Sequence, residues 1–166
     1  ILGFMVRNDY EDMVVVVGAP VYVRGRLYNC AIVLQGEEIL AIIPKKFVGI
    51  KEANNQSRWF ESGEKLTDSE YINYISDAVD FNSEIVFIGQ DDYLRFAIEV
   101  GSDFFALQST GAKMAAAGAN IIFNPSCVAY NINENPADYI IASKRIKGAY
   151  VHVNAGYGES STDFIF

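Results

Sequence analysis

The chain is poor in the residues that anchor most site chemistry. It has one histidine, two cysteines and one tryptophan among 166 residues. Two cysteines exclude a disulfide framework and suit a reducing, cytoplasmic setting. A single histidine excludes clustered imidazole ligands, and no Cys-x-x-Cys spacing occurs, so no metal is predicted. Basic residues are scarce as well: 13 stand against 21 acidic ones, for a net charge of −8. A nucleic-acid partner requires a basic stripe, and only Lys144, Arg145 and Lys147 cluster. No apolar run nears the roughly 20 residues of a membrane span, and no secretory leader pattern is visible.

The residues that remain describe a globular domain. Hydrophobic residues make up 51% and charged residues 20%, enough for one real core. Both ends fall inside apolar runs, Ile1-Leu2-Gly3-Phe4-Met5-Val6 and Asp163-Phe164-Ile165-Phe166. That pattern reads as a single domain over 1–166, cut from a longer protein.

Residues 13–17 form a β-branched run that Gly18-Ala19-Pro20 is expected to stop. Residues 28–34 and 38–43 predict a hairpin around Gln35-Gly36-Glu37. Residues 45–66 read as a long polar loop, and 71–79 are ambiguous between helix and strand. Strands are predicted over 84–88, 94–100, 119–123 and 149–155. Helices are predicted over 103–117, ending at Gly118, and over 136–147, capped by Asn135 and ended by Gly148. Alternation of strand and helix from 94 onward argues for parallel βαβ crossovers.

Several residues invite a chemical reading. Gly156-Tyr157-Gly158-Glu159-Ser160-Ser161 has two glycines of a dinucleotide loop, but no third glycine and no following helix, so no cofactor is predicted. His152 shares a strand face with Tyr150 and Asn154, and its plain reading is a hydrogen-bonded sheet histidine. Cys30 lies in a strand and reads as core. Cys127 follows a strand end; its plain reading is burial, and its sharper reading is a nucleophile within about 3–4 Å of Lys45 or a carboxylate. Lys45 and Lys46 follow Pro44 at a strand end, a place where lysines are usually solvated but where one could steady an oxyanion.

Four segments, in order, carry a resemblance. Val16-Val17-Gly18-Ala19-Pro20 leads to Leu27-Tyr28-Asn29-Cys30-Ala31, and Ile43-Pro44-Lys45 is followed by Arg58-Trp59-Phe60. Ile98-Glu99-Val100-Gly101-Ser102-Asp103 precedes Ala117-Gly118-Ala119-Asn120 and Asn124-Pro125-Ser126. The last is Ala155-Gly156-Tyr157-Gly158-Glu159-Ser160-Ser161-Thr162-Asp163. Together they resemble the nitrilase-type (carbon–nitrogen hydrolase) glutaminase domain of glutamine-dependent NAD synthetases.

The resemblance implies an αββα four-layer sandwich, truncated here at both ends. It implies a domain that releases ammonia from glutamine for a separate ATP-dependent NAD synthetase domain, and that assembles as a homo-oligomer. In that family a cysteine attacks the amide, a glutamate is the general base, and a lysine with a backbone N–H steadies the oxyanion. Lys45 matches the lysine. Ser126, Tyr157 and Glu159 match residues lining the glutamine pocket. Ala53 holds the place of a second pocket glutamate, with Glu52 beside it. The general base falls in a motif that would precede Ile1. Gly101 stands where the family has its cysteine, which implies a domain unable to catalyse, with a structural or subunit-contact role as the alternative.

Overall fold

The structure, a computed structural model, describes residues 10, 12–49, 56–66, 70–74, 77–127, 137–154, 160–161 and 164–165. Two sheets make up its body. The first has strand order β1-β2-β3-β5-β4, built from β1 (Val14–Val23), β2 (Arg26–Gln35), β3 (Glu38–Pro44), β4 (Glu70–Tyr74) and β5 (Asp77–Phe81). The second has the order β6-β7-β8-β9, from β6 (Phe87–Ile88), β7 (Arg95–Ile98), β8 (Ile121–Pro125) and β9 (Ala149–Val153). A short antiparallel pair, β10 (Ser160–Ser161) and β11 (Phe164–Ile165), stands apart from both.

Strand β1 does not stop at Gly18-Ala19-Pro20, as expected, but runs through them, with Pro20 opposite Asn29. β1 is an edge strand, and an edge tolerates a residue without an N–H. The turn comes later. Val23 pairs with Arg26, and Arg24 and Gly25 have φ of 48° and 81°. Positive φ at both central residues is what a tight type I′ hairpin demands. The β2–β3 hairpin forms where predicted, with Gln35 opposite Glu38. The ambiguous stretch resolves into strand: β4 and β5 pair antiparallel, and β5 joins β3 in parallel.

β7, β8 and β9 are parallel, as the alternation from residue 94 predicted. The predicted helix over 103–117 is broken. Gly101–Phe105 is a 3-10 turn, and helix α1 (Thr110–Ala116) starts afresh at Ser109, whose hydroxyl accepts from the Ala112 N–H at 3.2 Å. The Asp103 carboxylate is drawn toward β3, as described below, so the chain cannot wind straight on. α1 ends as predicted at Gly118, φ +108°, with the Ala119 N–H reaching the Met114 carbonyl and that of Gly118 reaching Ala115. Those two bonds satisfy carbonyls that a helix end leaves open. Helix α2 (Ala137–Ile146) is present; its predicted cap, Asn135, lies outside the described residues.

Alternation along β2 splits its side chains between two cores. Ala31 and Val33, with Ala41 and Ile43 of β3, pack face to face on Phe96 and Ile98 of β7 and on Val100 just after it. Tyr28, Cys30 and Ile42 point the other way and pack with Val79 and Phe81. The second sheet's outer face, Ala97 and Ile122, is covered by Met114 and Ala119, with Ile146 and Tyr150 alongside. Each fully buried aliphatic side chain contributes about 1.5–3 kcal/mol. This mixed α/β arrangement of facing sheets agrees with the expected nitrilase-like sandwich. The described helices α1 and α2 lie on the second sheet.

Candidate active site

The ends of β3, β7 and β8 converge on one point between the sheets. The Lys45 N–H, just beyond β3, bonds the Asn29 carbonyl at 2.7 Å. Its side chain runs into the protein and is only 2% exposed, against the usual solvation of a strand-end lysine. Lys45 Nζ donates to Ser102 Oγ (2.7 Å), Asp103 Oδ1 (3.1 Å) and the Val100 carbonyl (3.4 Å). The ammonium is therefore paired and has its hydrogen bonds filled, the condition for burying a charge.

Asp103 does more than neutralise Lys45. Its Oδ2 accepts from the Lys46 N–H at 2.7 Å, and its Oδ1 also accepts from the Phe47 N–H at 3.0 Å. Burial pushes the Asp103 carboxyl above its ordinary range, against the pull of the Lys45 ammonium and these two N–H groups. Lys46, by contrast, is partly exposed and pairs with Glu84, which also holds Lys113.

Gly101 sits at the junction of β7 and the 3-10 turn with φ +54°. A Cβ built on it would lie 3.9 Å from Lys45 Nζ and 3.9 Å from Ser126 Oγ. Among the described residues beyond its chain neighbours nothing else comes within 4 Å, so a side chain there would meet a cation on one side and a hydroxyl on the other. The Ser126 hydroxyl is buried and has no hydrogen-bond partner among the described residues. Lys45, Gly101 and Ser126, far apart in sequence, are thus brought together. Glu52, Tyr157 and Glu159 lie outside the described residues.

Sequence reasoning missed several residues behind this point. Glu99 is 1% exposed; its Oε1 accepts from the Gly111 N–H and its Oε2 from the Tyr150 hydroxyl, both at 2.7 Å. Burial outweighs those bonds and raises its carboxyl. Burial and the facing Glu99 carboxylate raise the Tyr150 phenol in turn. Asn124 bonds the backbone on both sides of Val100, through the carbonyls of Glu99 and Gly101. The one legible signal was the acidic pair Glu99 and Asp103 flanking a glycine at a strand end.

The two cysteines divide. Cys30 is core, as expected, and burial pushes its thiol up to about 12. Cys127 is exposed, which corrects the expectation of burial and sets it outside the buried cluster of Lys45. His152 meets the plain reading: its ring nitrogens face Asn124 Oδ1 and the Tyr139 hydroxyl. No cluster of His, Cys, Asp or Glu suited to a metal occurs among the described residues, and no described helix is long and apolar enough to cross a membrane.

Comparison with known proteins bears on this geometry. No protein-family model matches the chain. The glutamine-dependent NAD(+) synthetase of Mycobacterium tuberculosis is 30% identical over 154 residues, covering 90% of this chain and 22% of the relative. That of Drosophila melanogaster is 28% identical over 134 residues, 76% of this chain and 17% of the relative. The chain thus spans about a fifth of the length of the relatives it matches. Among solved structures, a glutamine-dependent NAD(+) synthetase from Cytophaga hutchinsonii superposes with a TM-score of 0.75 at 20% identity, covering 92% of this chain and 24% of that one. A carbon–nitrogen hydrolase from Helicobacter pylori gives 0.57 at 17% identity, covering 94% and 54%. The chain is a homologue of one part of the glutamine-dependent NAD(+) synthetases and carries the carbon–nitrogen hydrolase fold.

Proposed function

We propose that this chain is a glutaminase-type domain of the glutamine-dependent NAD synthetase kind, and that as it stands it does not hydrolyse glutamine. One observation carries the reading: Gly101 holds the point from which a side chain would meet both Lys45 Nζ and Ser126 Oγ, each 3.9 Å from its Cβ position. A cysteine there would have an ammonium beside its sulfur to favour the thiolate. Glycine supplies no nucleophile, and losing a nucleophile typically costs many powers of ten in rate. Its φ of +54° is relaxed for glycine and strained by about 1–3 kcal/mol for any other residue. A site released from catalysis gains stability by that exchange.

In this reading glutamine is the substrate class of the ancestral pocket, with Ser126, Tyr157, Glu159 and Glu52 as its lining. An NAD synthetase domain and further copies of the chain are its partners. Lys45 is the oxyanion-side cation. The alternative role, a non-catalytic scaffold or subunit contact, is favoured by the same relaxed glycine.

The test is ammonia and glutamate release from L-glutamine by the chain and by Gly101→Cys. The reading expects no release from the chain and glutamine binding by the variant, with release from the variant weak because the general-base motif of the family would precede Ile1. Turnover by the chain itself would overturn the claim of inactivity. A folded Gly101→Cys that neither releases ammonia nor binds glutamine in equilibrium dialysis would leave only the scaffold role.

A further inference from the structure

We infer that Asn124 and His152 are positioning residues that together fix the backbone turn at Gly101, a role that rests on the glutaminase-type reading of that turn. The argument begins with hydrogen-bond donors. Asn124 is 1% exposed at the end of β8, and its Nδ2 lies 2.6 Å from the Glu99 carbonyl oxygen and 2.9 Å from that of Gly101. Carbonyl oxygens only accept, so the amide nitrogen has to face them. The amide oxygen is then turned to His152, with Nδ1 at 2.7 Å. An amide oxygen cannot donate, so His152 carries a proton on Nδ1. The other ring nitrogen faces the Tyr139 hydroxyl at 3.4 Å, and the ring stacks on Tyr139 with centroids 4.5 Å apart. One tautomer and one ring plane are selected.

Gly101 has no side chain to hold its own conformation, and glycine visits positive and negative φ with similar ease. The grip on its carbonyl is what selects φ +54°. That grip sets two directions at once. It aims the Cβ position of residue 101 at Lys45 and Ser126. In a trans peptide the carbonyl and the next N–H point oppositely, so it also turns the Ser102 N–H away from β8. His152 does not reach Gly101 itself; it acts by keeping Asn124 from flipping.

The test reads the tautomer and the turn separately from activity. In the unmodified chain, imidazole nitrogen-15 shifts should report a proton on Nδ1 of His152. The Asp103 N–H closes the turn on the Val100 carbonyl, so its hydrogen exchange reports turn opening. His152→Leu should speed that exchange roughly fivefold, the worth of one net hydrogen bond, without changing amides of the β1–β2 ladder. His152→Asn, whose side-chain amide can stand in for Nδ1–H, should restore it. A proton on Nε2 alone, or Asp103 exchange unchanged in a folded His152→Leu, would overturn the inference; the tautomer measurement stands even if that variant does not fold. Failure of a folded Gly101→Cys to bind glutamine would count against the glutaminase reading, while the tautomer and exchange measurements still decide the positioning role.

Discussion

Lys45 and Asp103 follow strands of different sheets, are each 2% exposed, and meet at 3.1 Å. The pair ties the loop after β3 to the turn after β7, and Asp103 extends the tie to the N–H groups of Lys46 and Phe47. Breaking such a pair from one side leaves a buried charge uncompensated, at about 3–5 kcal/mol. Lys45→Met and Asp103→Leu should each lower unfolding stability by that amount in urea titrations. The double variant should lose clearly less than the sum, because no lone charge remains. Additive losses would mean that the two side chains do not act as a pair.

Glu99 makes a prediction about acid. Its folded carboxyl titrates above the ordinary value, chiefly through burial, so the folded state binds its proton more tightly than the unfolded chain does. The penalty is absent below the unfolded value and complete above the folded one. Stability from this group therefore falls as pH rises between them. Glu99→Gln should remove that slope and hold or raise stability at pH 7. The Gln oxygen can accept from the Gly111 N–H, and its amide can donate to the Tyr150 oxygen. Thermal midpoints from pH 4 to 7 would check this; an unchanged slope in the variant would rule it out.

Periodicity made the fold legible where one face or one helix decided the outcome. The β2–β3 hairpin, the end of α1 at Gly118 and the parallel trio β7-β8-β9 follow from local pattern. The failures have a common cause. Pro20 ends strands in general but not at a sheet edge, and edge position is a tertiary fact. The helix predicted over 103–117 broke because Asp103 is committed to Lys45, some 58 positions away. Lys45, Gly101 and Ser126 were legible as a set only through the resemblance. Asn124 and Tyr150 hold the backbone and the buried carboxylate behind them; Asn124 stands in a segment of the resemblance but its role was not legible there, and Tyr150 carries no signal beyond being a polar residue on a strand.

The cysteines should separate by reactivity. Cys127 is exposed, whereas Cys30 is buried in β2 with its thiol raised to about 12. The attacking species is the thiolate, so the buried Cys30 thiol, raised to about 12, is inert at neutral pH, and the accessible sulfur is that of Cys127. A disulfide reagent should titrate one thiol in the folded chain and two in denaturant, and Cys127→Ser should abolish the first. Two fast thiols in the folded state would contradict the burial of Cys30.

Glycines at positions 18 and 148 should respond oppositely to the same substitution. Gly148 follows α2 where the chain passes hard against another strand's approach: a Cβ there would clash with the Asn120 carbonyl oxygen, a backbone atom with no rotamer to change. The Asn120 carbonyl also accepts from the Ala149 N–H, so it cannot withdraw without releasing β9 from its start. Gly148→Ala should cost about 1–3 kcal/mol, the range of an overpacked core. Gly18 lies exposed in the middle of β1, with nothing among the described residues within 4 Å of its Cβ position. Alanine there only narrows the freedom of the unfolded chain, so Gly18→Ala should gain about 0.4–1 kcal/mol. Urea midpoints that move the same way in both variants would contradict this, because a shared effect of glycine on the unfolded chain cannot by itself give opposite signs.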